Sequence, residues 1–191
     1  YAGGAFLETF YRLTGNYVVS RTVAMFGLFF AVLLFYRYLR RKGFSPWLSF
    51  IPAALLLADT NVSVGVHWYR VDMWVFCLTL SALLLILNTR GRSARHQCIT
   101  FFFVGCLMVF EVCFWITAVL HWILILAEVL ALGRDEKWKV SRYLSGAAGG
   151  ALGAVSMFGI CLIPIAPSIG ETWMHYTGRM GIGSGLQHVA E

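Results

Sequence analysis

The feature that most restricts this chain is a succession of apolar runs, each separated from the next by a short polar block. About 20 apolar residues are enough to cross the hydrocarbon core of a bilayer. Several such windows follow one another here, with 59% apolar residues, only 13% charged and a mean hydropathy of +0.74. A soluble domain of 191 residues has no use for so much apolar surface. The sequence therefore predicts an all-α polytopic transmembrane bundle of about six spans.

Six spans are expected, at about 17–38, 46–60, 68–88, 98–111, 114–132 and 142–165. They form a membrane domain over residues 1–167. Residues 1–16 read as a loop or interfacial segment, and 168–191 as a polar, glycine-rich extramembrane tail. Pro46 opens the second span, as proline does in a first helical turn. The run 98–132 is too long for one upright helix, at 1.5 Å rise per residue. Two short spans turning near Phe110, Glu111 and Val112 fit it, and a single tilted helix is the alternative. In the last span Gly146, Gly150 and Ala154 recur every fourth residue, with Gly149 and Gly153 beside them. Such repeats of small residues let two helices approach closely.

Net charge is +6, yet the basic residues do not form a nucleic-acid surface, because they lie in blocks between spans. This arrangement places 11 of the 15 Lys and Arg on one side, the side expected to be cytoplasmic: 37, 40, 41, 42, 90, 92, 95, 134, 137, 139 and 142. Asp59, His67, Arg70, Asp72, Glu111, Glu171 and His175 then face the other side. The five cysteines form no C-x-x-C pair and no zinc-ligand spacing with His, so they read as packing residues.

Charge within or at the head of a membrane helix costs roughly 2.5–3.5 kcal/mol per residue on insertion scales and so marks candidate function. Asp72 opens the third span with no cation on its own helix face, and Arg21 is its expected partner from another helix. That pair reads either as a structural lock or as part of a ligand site. Arg70 and His67 share a face three residues apart. Arg70 reads either as a clamp for a phosphate group or as a side chain snorkelling to lipid phosphate. Trp68 and Tyr69 read as an interfacial aromatic belt. Glu111 is expected at an outer turn, where a carboxylate needs no special role. His121 and Glu128, seven apart, share one helix face and read as a pairing with a neighbouring helix or a polar stripe, with a proton relay a weaker reading. A metal on the outer rim, from His67, Asp59 and His175, has no spacing signature, so no metal or other cofactor is predicted. Arg179 to Gly185 lacks the flanking strand and helix of a dinucleotide loop.

One order of weak motifs resembles a known family. Gly15, Asn16 and Arg21 open a long helix that ends in Tyr36-Arg37-Tyr38-Leu39-Arg40-Arg41. A short span from Pro46 to Asp59 follows, and then a polar stretch runs into Tyr69-Arg70-Val71-Asp72. Over about residues 5–90 this resembles the GT-C integral-membrane glycosyltransferases, in particular the protein-mannosyltransferase and aminoarabinose-transferase-like branch. The resemblance implies transfer of a sugar from a polyprenyl-phosphate carrier to an acceptor on the lumenal or periplasmic face. It also implies a place in the bacterial inner membrane or endoplasmic reticulum, in contact with membrane lipid. Asp72 would be the catalytic carboxylate. Arg70, Arg21, His67 and Glu111 would bind the substrate, with Arg70 at the carrier phosphate. The family's base lies in a first outer loop after an earlier span, and only Glu8 stands in its place here. The resemblance thus implies either a longer chain or a relative without activity. The competing expectation is a non-catalytic multi-pass subunit that assembles with other membrane proteins. Transport ranks below both, because no internal repeat or matched pair of broken helices is visible.

Overall fold

The computed structural model describes residues 2–58 and 71–163, and every element among them is helical. The helices are α1 (Ala2–Thr14), α2 (Tyr17–Arg41), α3 (Pro46–Ala58), α4 (Asp72–Leu87), α5 (Ala94–Phe114), α6 (His121–Asp135) and α7 (Val140–Leu162), with a 3-10 turn at Ile116–Leu120. Four stretches are long and apolar enough to cross a membrane: α2, α5, the 3-10 turn joined to α6, and α7. Helices α3 and α4 are apolar but shorter. The large apolar side chains left on the outside, such as Phe29, Leu55, Leu126 and Val155, suit a lipid solvent. The protein is an all-α membrane helical bundle.

Local chemistry sets the helix ends. Gly15 takes a left-handed φ of +64° and closes α1, and the Asn16 side chain then accepts from the Val18 N–H to cap α2. Gly43 and Gly91 adopt positive φ after α2 and α4. Ser93 caps α5 by accepting from the His96 N–H.

Helices α2 and α4 run parallel. The Trp74 indole donates to the Val23 carbonyl at 3.1 Å, and the Cys77 thiol to the Gly27 carbonyl at 3.2 Å. Gly27 must be glycine, because a Cβ there would sit 2.8 Å from the Trp74 ring. The main core joins α4, α5 and α6 through Leu80, Leu83, Ile86, Phe101, Val104 and Ile125. A second cluster, at the other end of α4, joins Leu7, Ala24, Val71, Val75, Phe114 and Ala118.

The connectors carrying the basic blocks meet at one end. Arg90 of the α4–α5 connector pairs with Asp135 at 3.2 Å and approaches Glu136 at 3.8 Å. Arg142 donates to Gln97 Oε1 at 2.7 Å and to the Arg92 carbonyl. Lys42 and Tyr38 both donate to Glu128, at 2.9 and 2.6 Å, tying the end of α2 to α6.

Two expectations from the sequence need correction. Residues 1–16 do not form a loop, since all but the ends are helical. A Glu8–Arg12 ion pair one turn apart and the burial of Leu7 against α2 and α4 support this helix. The break in the 98–132 run falls at Trp115, not at Phe110 to Val112. Phe110 and Phe114 pack with tilted rings one turn apart at 4.8 Å, and Phe6 packs on Phe114 at 5.5 Å, so the helix continues past Glu111. The β-branched residues Ile116, Thr117 and Val119 follow the break, where they weaken helix continuation. Glu111 consequently lies inside α5, fully buried, and not at a turn.

Candidate functional site

The end of the bundle opposite the basic connectors is built from the first turns of α2 and α4, the last turn of α5 and the 3-10 turn. A pocket of about 390 Å³ opens there. Asp72 from α4, Trp115 and Thr117 from the α5–α6 junction, His121 from α6 and Leu56 from α3 line it. Three secondary-structure boundaries converge on it. Asp72 is the first residue of α4, where the helix dipole favours a negative charge. Trp115 is extended, with φ −154°, which turns the chain and lets His121 begin a new helix facing the pocket.

Beneath the pocket lies a buried polar chain. Thr79 Oγ1 donates to the Val75 carbonyl at 3.1 Å. It also lies 2.8 Å from His121 Nδ1. A hydroxyl has one proton, so with that proton on the carbonyl the imidazole donates through Nδ1, and Nε2 remains as the acceptor. Thr79 sits beside the Glu111 carboxyl. Its hydroxyl is already taken, however, and neither Glu111 oxygen completes a hydrogen bond among the described residues. A buried carboxyl without such a partner is costly and is retained mainly where it serves a purpose.

Asp72 lines the pocket. Arg21 lies in the first turns of α2, at the same end of the parallel α2–α4 pair, and is exposed. Glu111 does not line the pocket; it lies beyond Thr79. His67 and Arg70 fall outside the described residues, as do Asp59 and His175. His121 and Glu128 do share the inward face of α6, but they serve separate contacts, with Thr79 and with Tyr38 and Lys42 respectively. Thr79 escaped sequence reasoning, because a lone threonine in an apolar helix carries no signal. Among the described residues, no three His, Cys, Asp or Glu side chains come together at a common metal position, and the five cysteines form no disulfide with one another.

The fold and this pocket define an integral-membrane helical protein with an ionisable cavity at one end of its bundle. Compared with known proteins, the chain matches no family model, no curated protein and no solved structure.

Proposed function

We propose that this chain is a membrane glycosyltransferase that takes a sugar from a polyprenyl-phosphate carrier and passes it to an acceptor hydroxyl. One observation carries the reading: Asp72 and His121, from different helices, share a pocket at the end of the bundle opposite the basic connectors. With those connectors facing the cytoplasm, as the distribution of Lys and Arg favours, the pocket opens on the lumenal or periplasmic side of the endoplasmic reticulum or bacterial inner membrane. In this reading the Asp72 carboxylate takes the proton of the acceptor hydroxyl. The oxygen attacks the anomeric carbon, and the bond from that carbon to the carrier phosphate breaks, leaving the electron pair on the phosphate. Arg70, Arg21 and His67 are assigned to the leaving phosphate, and the apolar helix faces around the pocket to the isoprenoid. His121, oriented by Thr79, holds the acceptor through its free Nε2.

The test uses membranes containing the full chain, supplied with polyprenyl-phosphate mannose or polyprenyl-phosphate aminoarabinose and scored for labelled-sugar transfer. Asp72→Asn at wild-type protein level is expected to lower transfer by about 10²–10⁴-fold, the usual contribution of a positioned acid or base. Unchanged transfer removes Asp72 from the reaction. Absence of transfer by the wild type from either donor favours the non-catalytic reading, in which the chain is a subunit of a larger membrane complex.

A further inference from the structure

A second cavity lies apart from the Asp72 pocket, toward the basic end. It measures about 430 Å³, within the range of ligand sites. Helix α5 forms its floor, and α6 and α7 form its walls. The lining is almost wholly apolar, including Val104, Met108, Ile125 and Ala151. Leu126 and Ala151 at its margins are exposed on the bundle surface, so the cavity communicates with the lipid phase.

The end of the cavity next to the basic connectors holds two unsatisfied donors. Gln97 Nε2 and Trp138 Nε1 both line the cavity region and neither has a hydrogen-bond partner among the described residues. The side chains are 0% and 9% exposed, so water in the surrounding solvent does not serve them. Gln97 is further polarised, because its Oε1 accepts from Arg142 at 2.7 Å. The same guanidinium lies over the Trp138 ring at 5.0 Å.

Trp138 also lines a neighbouring cleft of about 540 Å³ between the α4–α5 and α6–α7 connectors. Four cations, Arg92, Lys137, Lys139 and Arg142, surround that cleft together with the hydroxyls of Ser93 and Ser141. The helices α5 and α7 both begin there, which adds two positive dipole ends.

Moving inward, the order is thus a basic cleft, then two buried N–H donors, then an apolar cavity. A glycerophospholipid presents the complementary order: an anionic phosphate, then ester carbonyls that only accept hydrogen bonds, then an acyl chain. Basic pockets between transmembrane helices on this kind of border hold anionic headgroups. We infer that the α5–α6–α7 cavity and the adjoining basic cleft form one site for an anionic membrane phospholipid. The phosphate lies among Arg92, Lys137, Lys139 and Arg142, the ester carbonyls accept from Gln97 and Trp138, and one acyl chain occupies the cavity.

The site is tested by purifying the full chain, exchanging it into nanodiscs of phosphatidylcholine with a minor fraction of phosphatidylglycerol, and counting retained lipid by native mass spectrometry. Wild type is expected to retain phosphatidylglycerol selectively. Lys137→Asn with Lys139→Gln removes two cations and is expected to lower that retention by roughly 25-fold, about fivefold per cation. Ala151→Phe fills the cavity from a lipid-exposed position and is expected to lower retention at least tenfold while the protein stays folded. Equal retention of the two lipids by wild type overturns the site, and that comparison needs no variant. Loss in the lysine variant with full retention in Ala151→Phe overturns the cavity as the place of the chain. Loss in both, with melting temperatures unchanged, supports the whole site.

Discussion

The glycines of α7 give the sharpest test of how the bundle is held together. A methyl group at Gly153 would collide with the backbone carbonyl of Phe102, and one at Gly149 with that of Cys98. Backbone on α5 cannot swing aside as a long side chain can, so the helices must separate. At Gly150 the nearest atom to an added Cβ is the Phe101 carbonyl oxygen at 3.7 Å, an ordinary contact. At Gly159 nothing lies within 4 Å. Each Gly→Ala change carries the same gain in helix propensity, about 0.8–1 kcal/mol in a soluble host, and this cancels when the variants are compared. What remains is overpacking, which costs about 1–3 kcal/mol in a close-packed interface. Gly153→Ala and Gly149→Ala are therefore expected to be about 1–3 kcal/mol less stable than Gly150→Ala and Gly159→Ala. Each kcal/mol corresponds to roughly fivefold in the folded-to-unfolded ratio. Reversible SDS titration of the protein in mixed micelles measures the difference. Gly150→Ala as damaging as Gly153→Ala would refute the reasoning, because an added methyl at Gly150 meets only an ordinary contact.

Two further outcomes concern buried charge. Lys42→Met strands the buried Glu128 carboxylate with only Tyr38 as donor among the described residues. It is expected to cost about 2 kcal/mol, less than the roughly 3–5 kcal/mol of a fully buried pair, since the Lys42 side chain is 32% exposed. Adding Glu128→Met is expected to recover most of that loss, and a double-mutant cycle by the same titration reads it. Glu111→Met replaces a buried carboxyl that lacks hydrogen bonds among the described residues with an apolar side chain of similar size. It is expected to raise stability by about 1–3 kcal/mol. A stability loss in a melting assay would show that Glu111 has a structural partner.

The branch point in the 98–132 run shows where sequence reasoning reached and where it stopped. Length and hydropathy require that run to break, because a single helix overshoots the bilayer. They do not choose between Glu111 and Trp115 four residues later. A carboxylate in an apolar stretch reads as a turn at the water boundary, since water is the usual partner of a charge. Here the polar neighbour is Thr79 on another helix, and no periodicity within α5 announces it. In the same way the small-residue repeat of α7 was visible in the sequence, but the face it turns to α5 was not. Both the expected stripe and the glycines beside it lie against α5: Gly149 and Gly153 abut the Cys98 and Phe102 carbonyls, and Gly105 of α5 abuts the Gly150 and Ala154 backbone.

The amino-acid sequence by itself determined that this chain is a membrane helical bundle, roughly where its apolar helices after α1 lie, and that most of its cations belong to one set of connectors. Those properties are local or additive: apolar length, capping residues and the position of charge along the chain. Only the tertiary structure decided that His121 meets Thr79 beside Glu111, that Glu128 is held by Tyr38 and Lys42, and that Gln97 and Trp138 turn unsatisfied donors toward one cavity. Such contacts depend on how each helix is rotated about its own axis. In a lipid solvent, where nearly every face is apolar, that rotation is set by close packing between helices, which only the folded arrangement reveals.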